Sequence, residues 1–157
     1  MTSMGGGKAQ SKDMNLKYIK VSNGITITQG CRVTGELTIP DQIDGLPVTA
    51  IGSLAFYNCT RLKSVIIPSG VLSIGNSAFA HCSRLKSVII PSSVLSIGIS
   101  AFAHCIRLTS ITIPNSITSI HNVFYGCTGL TSITTPNSDR PIGKYMFPLH
   151  QVQRTDS

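Results

Sequence analysis

Acidic residues are missing from most of this chain. From Gly45 to Ser138 there is no Asp or Glu, and the whole sequence holds six acids against 13 Lys and Arg. That removes paired carboxylates, and with them the usual acid–base arrangement, from the longest stretch of the protein. No Ser-His-Asp set can be assembled there either, although serine is plentiful. Trp is absent and aromatics are only 6%. The apolar content is therefore mostly Ile, Val and Leu, which suits strands packed around a narrow interior. Charged residues of both signs amount to 12%, so Ser, Thr and Asn must cover much of the surface. No apolar run approaches the ~18–20 residues that cross a bilayer. Met1 to Asp13 is rich in Gly, Ser and Lys and carries no apolar stretch of the kind a signal peptide needs. A cytoplasmic location is the expectation that follows.

What is present repeats. Ile51-Gly52 recurs as Ile74-Gly75 and Ile97-Gly98, Phe56 as Phe79 and Phe102, and Cys59 as Cys82 and Cys105. Leu62, Leu85 and Leu108 follow, then Pro68, Pro91 and Pro114, every step being 23 residues. A fourth copy runs through Ile120, Phe124, Cys127, Leu130, Ile133 and Pro136, one residue short between Ile120 and Phe124. A fifth begins at Ile142-Gly143 and stops near Phe147-Pro148. Upstream, Leu37-Thr38-Ile39-Pro40 is the strand of an incomplete first copy, and Asp41 to Ala50 spends five extra residues before the regular pattern starts.

The spacing within the unit dictates its shape. Val65 and Ile67 alternate inward on a strand, and Pro68 removes a backbone donor and ends it. The Gly of each Ile-Gly pair is expected to supply a turn conformation that other residues resist. Phe and Cys three apart read as about one turn of helix or 3₁₀. One strand and one short turn make a rung that cannot bury its apolar side alone, so rungs must stack. The columns Phe56/79/102/124/147, Leu62/85/108/130 and Ile67/90/113 are then core. At the other end, Tyr18–Val21 and Ile25–Ile27 flank Ser22-Asn23-Gly24, a hairpin signal, and this hairpin is expected to cap the first rung.

The unit I-G-x-x-A-F-x-x-C-x-x-L, with its I-P pairs at Ile39, Ile67, Ile90 and Ile113, resembles the BspA-like leucine-rich repeats, the 23-residue class. The turn from Ile39 to Gly52 is similar to the opening repeat of that family, and the resemblance covers about Tyr18 to Phe147. It implies an α/β leucine-rich-repeat solenoid, a right-handed superhelix of about five rungs. A parallel β-sheet would line the concave face and short helical or 3₁₀ turns the convex one. The expected organisation is a flexible segment at 1–15, one repeat domain at 16–147 with the hairpin cap at 16–31, and a tail at 148–157. The family's members are adhesins, matrix binders and protein receptors without enzymatic activity, which makes the cell surface or secretion the alternative location.

Cys59, Cys82, Cys105 and Cys127 fall in one inward column, with Cys31 near the cap. Cysteine behaves as a small hydrophobe, and zinc spacing such as C-x-x-C is absent, so no metal or cofactor is expected. The outward strand face carries the candidate partner-binding residues: Arg61, Lys63, Ile66, Arg84, Lys86, Ile89, Arg107, Thr109 and Thr112. Like charges one rung apart repel by only ~0.8 kcal/mol in water. The result is a positive stripe edged by isoleucines, suited to another protein with an acidic face. A solvated face whose lysines discourage aggregation is the plainer reading. Self-association through an open C-terminal rung, as part of a larger assembly, is a second possibility, and an anionic glycan or nucleic acid a third. Nucleic acid is disfavoured because the stripe offers no aromatic column for stacking bases.

Overall fold

The computed structural model describes residues 6–8, 16–30, 33–117, 120, 122–135 and 153–156. Its inner strands are β4 (Gly35–Thr38), β7 (Leu62–Ile66), β9 (Ser87–Ile89), β11 (Ser110–Thr112) and β12 (Ser132–Thr135), one per rung. β4, β7 and β9 pair in parallel, as do β11 and β12. Alternation puts Val65, Val88, Ile111 and Ile133 inside and leaves their neighbours outside. The sheet is not continuous. β9 and β11 lie side by side without a shared ladder, so two three-stranded sheets result.

A second, narrower sheet runs along the other edge of the rungs. It contains β6 (Leu46–Ile51), β8 (Ser73–Ile74) and β10 (Ser96–Ile97), paired in parallel. The expected hairpin forms from β2 (Lys17–Val21) and β3 (Gly24–Gln29). Its role differs from a lid laid over a finished rung. Thr26 and Ile27 pair in parallel with Ala50 and Ile51, so β3 is itself the narrow-sheet strand of the rung that contains β4. Only β2, with β1 (Gly6–Lys8) antiparallel beyond it, stands outside the rungs. The extra residues before the first regular copy make a tight hairpin, β5 (Gln42–Ile43) with β6, turning at Asp44-Gly45 where both φ angles are positive, 55° and 77°. Asp and Gly are the residues that tolerate that conformation.

The convex stretch holds no helix among the described residues, which corrects the expected helical or 3₁₀ turn. Leu54, Ser77, Ser100 and Asn122 have φ between 53° and 63°, and Asn58, His81 and His104 between 59° and 62°. A left-handed residue every fourth position stops any helix from propagating. It also turns successive amides in opposite directions. The Ala78 and Ala80 amides donate within the rung, to the carbonyls of Gly75 and Ser77. Those of Ser77, Phe79 and His81 donate across to Ile99, Ala101 and Ala103 of the next rung, at 2.7–3.0 Å.

The glycines of the Ile-Gly pairs also serve a purpose other than the expected one. Gly75 and Gly98 do not adopt positive φ. A Cβ on Gly75 would instead run into the backbone of Gly52 and Ser53, and one on Gly98 into Asn76 and the Gly75 carbonyl carbon. Close approach of the preceding rung, not backbone conformation, demands glycine here.

Inside, Phe56, Phe79, Phe102 and Phe124 are fully buried and stack in one column. Their ring centroids are 4.9, 5.1 and 6.0 Å apart, the first two pairs within 2° of parallel. Leu62, Leu85, Leu108 and Leu130 fill a second column. Phe147 and the start of the fifth copy lie outside the described residues. Within the stretch expected as the tail, β13 (Gln153–Asp156) pairs in parallel with β12.

Candidate functional site on the strand face

All nine candidate residues are exposed, and each strand face carries them for a definable reason. In β7 and β9, burial of Val65 and Val88 forces Ser64, Ile66, Ser87 and Ile89 outward. Ladder register then sets Ile66 beside Ile89 and Ser64 beside Ser87, while the Lys86 amide donates to the Lys63 carbonyl at 2.8 Å. Ile66 and Ile89 keep 43% and 58% of their surface in water, an unusual state for isoleucine and one that a partner would relieve. Arg61, Arg84 and Arg107 stand one per rung at the corner leading into the strand.

The ladder break divides the candidates. Arg61, Lys63, Ile66, Arg84, Lys86 and Ile89 lie in or just before β7 and β9. Arg107, Thr109 and Thr112 belong to the second sheet, where Thr112 pairs with Thr134 and the Thr109 carbonyl accepts from the Thr131 amide. The first half is basic and apolar, while the second keeps a single cation, Arg107, among hydroxyls. Among the described residues the one ion pair lies elsewhere, between Lys20 Nζ and Asp44 Oδ2 at 3.6 Å. Asp44 also accepts a 2.5 Å bond from the Tyr18 hydroxyl, which raises the phenol above its usual range, with burial adding to the effect. That acid therefore braces the first rung against β2.

Cys59, Cys82, Cys105 and Cys127 form a buried column. Three of its thiols reach the Phe carbonyl of the rung before: Cys82 to Phe56 at 3.1 Å, Cys105 to Phe79 at 3.2 Å, Cys127 to Phe102 at 2.9 Å. The Cys127 thiol beside it holds Cys105 well above the usual thiol range, and burial adds to the rise. The same contact favours the thiolate at Cys127. For the pair we take the upward direction, because low-dielectric surroundings disfavour charge on either sulfur.

One arrangement was invisible in the column alignment. Tyr57, His81, His104 and Tyr125 form a continuous row of rings on the turn side. His81 and His104 stack at 4.6 Å, and the two tyrosines meet them edge-on at 5.5 and 5.4 Å. The tyrosines occupy one repeat position and the histidines the next, so no single column shows the row. Gly126 completes it, since a Cβ there would strike the His104 ring.

Residues 49–154 match the model of the BspA type leucine-rich repeat region, in six copies. The chain belongs to this family. Solved structures of bacterial relatives agree. A leucine-rich repeat protein of T. pallidum is 31% identical with a TM-score of 0.73, over 96% of this chain and 65% of its own. A leucine rich cell surface protein from Faecalibacterium prausnitzii is also 31% identical, TM-score 0.77, over 94% of this chain and 41% of its own. A leucine-rich repeat protein from Bacteroides capillosus is 29% identical, TM-score 0.70, over 78% and 94%. No curated protein matches the chain. This BspA-type chain thus spans under two thirds of the first two relatives. Among its described residues no helix is long and apolar enough to cross a membrane.

Proposed function

We propose that this BspA-type repeat is a non-enzymatic recognition module whose strand face takes an acidic protein surface carrying apolar anchors. The observation that carries the reading is the paired Ile66 and Ile89, exposed beside Lys63 and Lys86 in ladder register. Isoleucine in that setting gives a partner something to desolvate, while lysine and arginine steer acidic groups towards it. The family as a whole is built for interaction rather than chemistry. For location, the surface alternative is the one with a relative behind it, the F. prausnitzii cell surface protein.

Peptide display tests this. Random peptides are selected on the wild-type chain, then measured against Lys63→Glu plus Lys86→Glu. We expect selected peptides to combine Asp or Glu with large apolar residues and to lose at least tenfold in affinity on the variant, about 1.4 kcal/mol. Peptides that bind both chains equally would place recognition elsewhere. Oligomers in light scattering that persist in high salt would favour the assembly reading instead.

A further inference from the structure

The row of rings on the turn side forms a second surface that the strand-face reading leaves unused. Tyr57 and Tyr125 keep 43% and 61% of their surface exposed, at the two ends of a row three rung steps long, ~14 Å at ~4.8 Å per step. Between them the stacked imidazoles of His81 and His104 present their edges, since their faces cover each other. Along each rung an arginine follows: Arg61 four residues after Tyr57, Arg84 three after His81, Arg107 three after His104. No acid lies in any of these rungs. Each of three rungs therefore offers one amphipathic ring and, three or four residues on, one guanidinium.

We propose that this row and the adjoining arginines bind a linear acidic polysaccharide, one uronate or sulfated pyranose per rung. A pyranose is comparable in length to one rung step, so consecutive sugars of an extended chain can meet consecutive rungs. The apolar C–H face of a sugar packs on an aromatic ring, and its hydroxyls meet imidazole edges and phenol oxygens. Its carboxylate or sulfate meets a guanidinium through paired charge-assisted hydrogen bonds. A single-stranded nucleic acid fits less well: consecutive bases need open ring faces, whereas the two middle rings are closed to stacking by one another. The proposal does not depend on the strand-face reading, and only the arginines at the corner adjoin both surfaces.

The probe is a heparin-derived hexasaccharide, measured by calorimetry at physiological salt. A neutral cellulose hexasaccharide and a thymidine oligomer of matched charge serve as comparison ligands. Tyr57→Ala plus Tyr125→Ala removes the exposed rings and keeps every charge; Arg84→Gln plus Arg107→Gln does the converse. Each pair is expected to weaken the heparin fragment about tenfold. Ile66→Ala plus Ile89→Ala, which disarms the strand face, should leave it within about twofold. The substituted residues are exposed, and an unchanged melting curve establishes that each variant is folded. Absence of heparin binding, or equal affinity of the tyrosine variant, overturns the proposal. So does a thymidine oligomer that binds as tightly and loses as much, because the site would then read polyanions or bases rather than sugars. Loss of peptide binding in the isoleucine variant with heparin retained separates the two surfaces.

Discussion

The strand side and the turn side of this solenoid repeat at the same period but are joined differently. On the strand side the rungs are linked by parallel ladders, and the linkage fails between β9 and β11. On the turn side, alternating left-handed residues send every second amide to the next rung. That series crosses the same gap, where the Phe79 and His81 amides reach Ala101 and Ala103, and continues past it, where the Phe102 and His104 amides reach Val123 and Tyr125. The turn side, which has no regular secondary structure, is therefore hydrogen-bonded across the boundary where the inner ladder breaks. The sheet, freed from sole responsibility for holding rungs together, can carry exposed isoleucine and unpaired positive charge.

The comparison can be broken most severely at what both sides share. Phe79→Ala removes a ring stacked on two neighbours and should cost about 3–5 kcal/mol in urea denaturation. A loss under about 1 kcal/mol would mean the rungs close over the gap. Gly98→Ala acts on one side only, by forcing a Cβ into the rung before, and should cost about 1–3 kcal/mol. Glycine substitutions then separate the two sides by size of effect. Ile66→Gly should destabilise by about 1 kcal/mol. Leu54→Gly should change stability by less than about 0.5 kcal/mol, because relief of its left-handed φ offsets glycine's entropy. Equal losses at both would show that the turns store no conformational strain. The smallest effect concerns the thiol column. A pKa raised in the folded state means stability is fully present below the ordinary thiol value, about 8.5, and lost as pH rises beyond it. The melting temperature should fall through that window, and Cys105→Ala should flatten the fall.

Much of this was legible from spacing. The buried columns and the outward ones, Ser64 with Ser87 and Ile66 with Ile89, follow from a period of 23 and strand alternation, which fix register without further information. The turns were not legible, because Leu54, Ser77 and Ser100 carry no sign of left-handed backbone. Only Asn58, Asn122, His81 and His104 belong to types that favour it. The role of Gly75 was misjudged for a related reason: close approach of another rung is a tertiary fact. Ile25-Thr26-Ile27 looked like half of a cap because its Asn-Gly turn is a strong local signal, while its parallel partner Ile51 lies 24 residues away. The ring row escaped because it alternates between two repeat positions.

The antiparallel strand β2 gives the molecule a direction of growth. A repeat copied upstream of β3 would need a parallel neighbour, and that edge is already taken by a strand running the other way, itself covered by β1. Copies can be duplicated or deleted only downstream of that lock. Each copy must bring its own phenylalanine, glycine and left-handed turns, since a rung makes bonds only with the rungs beside it. Changes in copy number would then lengthen or shorten both proposed recognition surfaces in whole-rung steps, tuning reach without redesigning any single contact.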